Sequence, residues 1–508
     1  MAKSNPISTT VSKISWWSYL GLLAAIAIIY RILQWNQLPP GLSNAEANGG
    51  IAASLISKGA AGIGYRHETG YSPLWELSQA VSVHIFGNTI SALRVVPALL
   101  GLIAVATTYG WVRSWYDRRT AWVAAFLVAV LPWSLSLSRN AVPTVLALVF
   151  ITSLLWAATS LMRKPDSLKR LVTLIALVML ALTAGPWGWL SLMAISLALV
   201  FQRKLMRRNF SIISGNKLKN SIAFGVLGIA LVTTILLFKS ALSPLLTSFG
   251  IAPASSWLVS ALRVGGMFVY RGDPDFHHNL GGEPMVNAFI ALAYVAGLLL
   301  SLSRIQRARD RMVLILLFVG LVPSIISGGL VPNAARAVLA LPIVALLAAI
   351  GTYYLADLWS ATFPINSAAR SLGQTAISIL LVLTAFQCYT QYFVAWANSS
   401  ETYIAYNRGA TAASDYVNSA KISNETTIVA SADEIPVAAY LLSRKQAFII
   451  DANALKVLPT GKPRLLIITA EAHDPAVITL QNRFPGGTLK AHLDRDGSEL
   501  FYDYLITK

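Results

Sequence analysis

The stretch Ile90–Val112, ISALRVVPALLGLIAVATTYGWV, decides the class of this chain. Its only charge is Arg94. A spanning helix needs about 20 largely apolar residues, because hydrocarbon offers no partner for backbone N–H and C=O groups. Runs of this kind recur from residue 16 to residue 396. Hydrophobic residues make up 55% of the 508 and charged residues 12%. With a mean hydropathy of +0.60, this composition excludes an ordinary soluble protein.

The apolar runs predict about eleven spans, near 16–34, 90–112, 120–135, 141–161, 169–184, 186–202, 221–238, 286–303, 312–329, 337–357 and 373–395. The net charge of +18 is not a nucleic-acid signature, because its Lys and Arg residues cluster in short turns between apolar runs. A cytoplasmic N-terminus puts Arg113, Arg118, Arg119, Arg163, Lys164, Arg203, Lys204, Arg304 and Arg307 all inside, as the positive-inside rule requires. The apolar run after Lys3 and Lys13 has no small-residue cleavage site between Arg31 and Pro40, so it reads as a retained first span. Cys388 is the only cysteine, which excludes an intramolecular disulfide and a Cys-based metal site. Trp16, Trp17, Trp111, Trp115, Trp133, Trp187, Trp189, Trp359 and Trp396 fall at predicted span ends and read as headgroup anchors.

Residues 35–89, 239–285 and 396–508 then lie outside, in a multi-pass protein of the plasma membrane. Two short amphipathic helices are predicted in the first segment, over Glu46–Ser57 and Pro73–Phe86. The tail alternates helical stretches (411–420, 434–442, 474–484) with β-rich ones (427–430, 447–451, 465–469, 500–506), which predicts an α/β domain with a small mixed sheet. The expected architecture is therefore an α-helical polytopic membrane unit over 1–395 and an extracytoplasmic soluble α/β domain over 396–508.

Neither GxxxxGK[ST], HExxH nor a nucleophile elbow is present, so ATP-driven transport and zinc hydrolysis lose support. A transporter also tends to bury ionisable groups at mid-membrane, whereas here the polar groups collect at one surface. Glu46, in Asn44-Ala45-Glu46-Ala47-Asn48, sits just past the first span as a catalytic candidate or a cap. Arg139 and Arg336 are isolated external arginines, suited to a lipid headgroup or to a pocket for a lipid phosphate. The densest external polar stretch is Arg271-Gly272-Asp273-Pro274-Asp275-Phe276-His277-His278-Asn279. Its histidines and aspartates read as loop formers rather than metal ligands. Asn398 and Asn424 fit N-x-[ST], a match expected by chance at this length.

Taken together, these landmarks resemble the GT-C superfamily of membrane glycosyltransferases, and within it the family 39-like branch related to protein O-mannosyltransferases and aminoarabinose transferases. The resemblance is carried by Pro39-Pro40-Gly41-Leu42 with Glu46-Ala47, then Pro73-Leu74, Phe86-Gly87 and Leu93-Arg94-Val95-Val96-Pro97. Trp133 with Ser138-Arg139, the Gly272–Asn279 loop and Arg336–Pro342 complete it. It implies an external active site, a polyprenyl-phosphate sugar donor, a glycan, lipid or protein acceptor, inversion at the anomeric carbon, and neither cofactor nor metal. It implies a loop-one carboxylate as general base, carried here by Glu46 or next by Asp273. Arg139, Arg336 and Arg94 are then the groups for the donor phosphate, and Asp275, His277, His278 and Asn279 form a substrate loop.

The sequence departs from the family pattern at three places. The Asp-Glu pair stands as Ala45-Glu46, the cation of Lys-Pro-Pro-Leu is replaced at Tyr71-Ser72-Pro73-Leu74, and an acid five positions after the arginine is Thr144. Either Glu46 acts alone or with Glu68, Asp273 or Asp275 as substitutes, or the chain keeps the fold without the chemistry and binds lipid-linked glycan or scaffolds its assembly.

Overall fold

The computed structural model describes residues 16–63, 72–201, 250–419, 425–442, 448–451, 464–469, 473–483, 485–494, 497 and 499–506. The predicted span 221–238, and also Glu68 and Tyr71, lie outside the described residues. Helices occupy the other ten predicted positions. They are α1 (Trp16–Ile32), α4 (Ile90–Trp115), the pair α5 (Arg118–Val130) and α6 (Pro132–Arg139), α7 (Val145–Arg163), α8 (Leu168–Thr183) and α9 (Pro186–Phe201). After α10 (Trp257–Gly266) follow α11 (Ala288–Ser303), α12 (Ala308–Ile326), α13 (Leu341–Thr362) and α14 (Ser367–Tyr389).

Among the described residues, four helical stretches are long and apolar enough to cross a membrane: 90–115, 145–163, 338–362 and 367–396. The α5–α6 pair makes a fifth if its two arms count as one span. The eleven expected spans are apolar runs, whereas this number takes only helices that are also long, among the described residues. α1, α9 and α11 are apolar but shorter, and α12 begins inside the basic cluster Arg309-Asp310-Arg311. The α5–α6 pair bends by 58° at Leu131-Pro132, where proline donates no hydrogen bond and steers the residue before it away from the helical region.

Pro73 opens α3 (Pro73–Phe86) where the sequence places it, and α2 (Asn44–Ser57) starts two residues before the predicted 46–57, capped by Ser43. Beyond α14 the chain makes a π-helical turn, Thr390–Trp396. It continues through α15 (Ser400–Ala405) and α16 (Arg408–Ser419) to a five-stranded sheet. Strands β1 (Glu425–Ala430), β2 (Phe448–Asp451), β3 (Arg464–Thr469), β4 (Thr488–Leu493) and β5 (Glu499–Ile506) lie in the order β2-β1-β3-β5-β4. β1 runs parallel to β2 and β3, with Ile428 opposite Ile449 and Ile467, while β5 is antiparallel to β3 and β4. The mixed sheet matches the expectation except for β4, an exposed edge strand whose TLKAHL lacks the β-branched alternation of its neighbours. α17 (Ile435–Leu441) and α18 (His473–Arg483) complete the unit.

The tryptophans correct the anchoring expectation. Trp111, Trp133, Trp187, Trp189 and Trp396 are buried, whereas Trp17 and Trp359 are exposed. A buried indole usually finds a partner for its N–H, and two of these do so on loop carbonyls. Trp133 donates to Ala334 O at 3.0 Å and Trp396 to Phe276 O at 2.8 Å.

α11 and α13 approach backbone to backbone. A Cβ at Gly297 would strike Leu347 O, and one at Gly351 would strike Ala293 O. Small residues permit such approach where helices pack by van der Waals contact alone. Gly351→Ala is therefore expected to cost about 1–3 kcal/mol, the scale of an overpacked core, seen as a lower melting temperature in detergent. Gly21→Ala, with nothing within 4 Å, should leave melting unchanged.

Candidate functional site

Glu46 is the third residue of α2 and forms a capping box with Ser43. Its Oε2 accepts from the Ser43 N–H at 3.0 Å and the Ser43 hydroxyl at 3.1 Å. Its Oε1 accepts from Ala141 N at 2.8 Å and from Arg94 Nε at 3.3 Å. Arg94, from α4, also donates to Pro39 O at 2.9 Å and to Gly41 O. Both side chains are almost wholly buried. Glu46 and Arg94, two of the residues singled out in the sequence, are thus brought together, with both carboxylate oxygens already accepting.

Arg139 ends α6 with its guanidinium under the C-terminus of α1. It donates to Tyr30 O at 3.0 Å, Arg31 O at 3.2 Å, Gln34 O at 3.2 Å and Leu38 O at 3.0 Å. The rings of Phe393 and Tyr392 lie 5.2 and 5.8 Å from its central carbon. The last carbonyls of a helix lack intrahelical partners, and this arginine supplies them. Arg336 is half-buried and donates from Nη1 to Gly328 O at 2.7 Å.

The loop between α10 and α11 is fixed by Asp273, which is fully buried. Asp273 Oδ2 accepts from Ala334 N at 2.6 Å and Oδ1 from Asp275 N at 2.8 Å. Burial pushes its pKa up to about 7, against the pull of those two N–H donors. Asn279 donates from Nδ2 to Asp273 O at 3.0 Å and to Glu283 O at 2.6 Å.

Asp275 Oδ1 accepts from the His277 backbone N–H at 2.9 Å and pairs with His277 Nδ1 at 2.7 Å. Burial opposes ionisation of Asp275, but the His277 hydrogen bond and the two neighbouring histidines outweigh it and hold its pKa below the usual carboxylate range. His277 is raised in turn, Asp275 overcoming the burial penalty. Burial pushes His278 down to about 4.

These segments enclose a cavity of about 490 Å³. Ser43, Asn44 and Ala45 form one part of its lining, Asn140, Val142 and Thr144 another, and Asp275, His277 and His278 a third. The tail supplies the rest, with Ile404, Ala405, Asn407 and Asp433. Hydrogen bonds tie the walls together. Asn140 Nδ2 donates to His277 O at 3.1 Å, Tyr406 OH to His277 O at 3.0 Å, and Asn407 Nδ2 to Leu42 O at 3.0 Å. A smaller cavity, about 40 Å³, shares Ala45 and Val142 with it and is lined by Glu76. Of the sequence candidates, Asp275, His277 and His278 line the larger cavity, while Glu46, Asp273, Asn279 and the three arginines stand behind its walls or apart from it. Asn140, Glu76 and Asp433 were not singled out by the sequence reading. Asn140 lies next to Arg139, but nothing marks an asparagine or a tail aspartate as lining a cavity assembled from distant segments. Among the described residues, no three His, Cys, Asp or Glu side chains are placed to hold a metal ion.

The model of one family, described as dolichyl-phosphate-mannose-protein mannosyltransferase, matches residues 71–238. The structure is similar to that of ArnT from Cupriavidus metallidurans in the apo state, with a TM-score of 0.56 and 13% identity over 96% of this chain and 98% of that one. The chain shares the fold of this ArnT structure. ArnT bound to undecaprenyl phosphate matches at a TM-score of 0.54 and 14% identity over the same shares of each chain. A third GT-C structure, the oligosaccharyltransferase AglB from Archaeoglobus fulgidus in complex with an inhibitory peptide and a dolichol-phosphate, matches at 0.53 and 15% identity. That match covers 97% of this chain and 74% of AglB. No curated protein sequence matches the chain.

Two predictions follow from this geometry. Because Arg139 serves four carbonyls through a planar fork that an ammonium cannot reproduce, Arg139→Lys should lower the melting temperature in detergent. Charged hydrogen bonds contribute about 1.5–3 kcal/mol each; unchanged melting would remove Arg139 from this capping role. The Asp275–His277 pair should make stability depend on pH. The lowered Asp275 contributes stability above about pH 4 that is lost as pH falls, and the raised His277 contributes stability below about pH 6.5 that is lost as pH rises through its folded value. The melting difference between wild type and His277→Gln should accordingly be largest between about pH 4 and 6.5 and shrink on either side.

Proposed function

We propose that this chain transfers a sugar from a polyprenyl-phosphate carrier to an acceptor hydroxyl inside the larger cavity, with inversion at the anomeric carbon. The observation that carries the reading is the cavity itself. Four segments far apart in the sequence build it in a chain with the GT-C fold, and it presents carboxylate, imidazole and amide groups together. The ArnT neighbour was solved with undecaprenyl phosphate and the AglB neighbour with a dolichol-phosphate, which supports a lipid phosphate as the carrier. The chemistry requires a group to accept the hydroxyl proton and a cation to pair with the departing phosphate.

In this reading the cavity opens on the extracytoplasmic side, and the N-terminus is cytoplasmic. In support, Arg309 donates to Trp115 O at 2.6 Å, so two of the arginine-dense turns meet each other rather than the cavity segments. Residues 1–395 form the membrane unit and 396–508 the external α/β unit, which closes the cavity through 404–407 and Asp433. The acceptor is a glycan, lipid or protein. Arg336 is the arginine proposed for the donor phosphate, because it is half-buried while Arg94 and Arg139 are almost wholly buried. Glu46 and Asp273, the sequence candidates for the base, act here as supports of the walls, since each carboxylate is already filled by backbone donors. A second reading is favoured by one observation. Ala45 and Thr144, where the resembled family carries acids, line the cavity without a proton acceptor, which suits a protein that binds lipid-linked glycan without transferring it.

Purified protein in nanodiscs, given a panel of undecaprenyl-phospho-sugars with membrane extract as acceptor source, is expected to release undecaprenyl phosphate. Binding of undecaprenyl phosphate with no turnover across the panel would replace transfer with the second reading.

A further inference from the structure

The larger cavity is lined by two carboxylates, and they differ in how they are held. Asp433 is exposed, in a turn of the tail. Asp275 sits in a loop pinned at both ends. Asp273 takes the Asp275 N–H, the Asp275 carbonyl accepts from His278 N and Asn279 N at 3.0 Å each, and Asn279 ties the loop to Glu283. His277 occupies one oxygen of Asp275, Oδ1, from both its backbone and its ring. Oδ2 has no hydrogen-bond partner among the described residues, on a side chain that is one-quarter exposed and lines the cavity.

Two further atoms point to a ligand at the same place. Asn140 is 3% exposed, yet its Oδ1 has no partner, although its amide nitrogen is fully used. His278 Nδ1 is likewise buried and without a partner. Buried polar atoms are nearly always satisfied, so these two, in residues that line the cavity together with Asp275, are polar groups left open in its walls.

Resting on the proposed transfer reaction, we infer that Asp275 is its catalytic carboxylate and His277 the residue that positions it. The acceptor oxygen forms its bond to the anomeric carbon as the bond from that carbon to the phosphate oxygen breaks. The bonding pair leaves on polyprenyl phosphate, and the hydroxyl proton passes to Asp275 Oδ2. Nothing is oxidised or reduced. A base must lie within hydrogen-bond reach of its proton and be held by packing and by a supporting shell. Asp275 has that shell in His277, and His277 has its own in Asn140 and Tyr406.

The test compares Asp275→Asn and His277→Gln with wild type in nanodiscs, using release of undecaprenyl phosphate from undecaprenyl-phospho-sugars, separate binding of undecaprenyl phosphate, and melting temperature. Asp275→Asn is expected to lower kcat about a hundredfold or more, with Kd for undecaprenyl phosphate within about twofold of wild type. His277→Gln should lower kcat about tenfold or more with KM little changed, with kcat taken per mole of protein that binds undecaprenyl phosphate, because loss of folded protein alone also lowers apparent kcat at constant KM. If Asp275→Asn melts early, Asp275→Glu decides: retained turnover supports the assignment and turnover as low as in Asp275→Asn overturns it. Full turnover in a well-folded Asp275→Asn, with loss in Asp433→Asn or Glu76→Gln, would move the role to those acids and leave the transfer reading standing. An inactive wild type that still binds undecaprenyl phosphate would bring down the transfer reading, and this assignment with it.

Discussion

The contact between Glu46 and Arg94, both shut away from solvent, holds the rim of the cavity. An ion pair removed from water must be surrounded by further hydrogen bonds, and losing one partner of such a pair costs about 3–5 kcal/mol. Here the pair gathers those further bonds from four places: the Ser43 cap, the Pro39 and Gly41 carbonyls, and the Ala141 N–H. As a result, the N-terminus of α2, the turn after α1, the N-terminal end of α4 and the turn after α6 share one set of coordinates. Ser43, Asn44 and Ala45 then face Asn140 and Val142 across a fixed opening.

The same logic repeats outward. Arg139 closes the end of α1, and Asp273 joins the α10–α11 loop to the turn before α13. Each is a buried ionisable side chain spent on main-chain groups that would otherwise be unpaired in an apolar setting. The tail docks on this scaffold instead of floating above it. Asn407 binds Leu42 O, Tyr440 OH donates to Thr89 O at 3.1 Å, and Arg408 Nη1 donates to Pro40 O at 3.4 Å. Its ring at Tyr440 lies where a Cβ on Gly50 would be, so a glycine in α2 is what lets the two units meet. The tail is thereby a wall of the cavity, and it contributes shape and an acid, Asp433.

Local signals made most of the architecture readable from sequence. The apolar runs, the helical spacing from Glu46, Pro73 at a helix start and the β-rich tail segments are short-range patterns, and those among the described residues are found as elements. The lengths of individual helices were not readable, because where a helix begins against a basic turn, as at Ala308, hydropathy alone does not say. Site roles were the least legible. Glu46, Arg94, Arg139 and Asp273 look like reaction groups because charge beside a membrane is costly, and the sequence does not tell whether that cost is met by backbone groups or by substrate. What separates Asp275 from Asp273, two positions away, is only which of them spends both oxygens on N–H donors.

That distinction also bears on how a carboxylate and a phosphate can occupy one small cavity. Two anions close together in a medium of low dielectric repel strongly, and an isolated aspartate there would either take up a proton or drive the phosphate away. The imidazole of His277 resolves the conflict at the source. Its pairing with Asp275 raises the histidine and lowers the acid, so each favours the charged form of the other and the charge of the acid is offset to the extent that the imidazole is protonated. An anionic donor can then approach a carboxylate that is still ionised and still open at one oxygen. The pairing leaves Asp275 a weak base, which suits a step in which the acceptor proton becomes acidic only as its oxygen bonds to carbon.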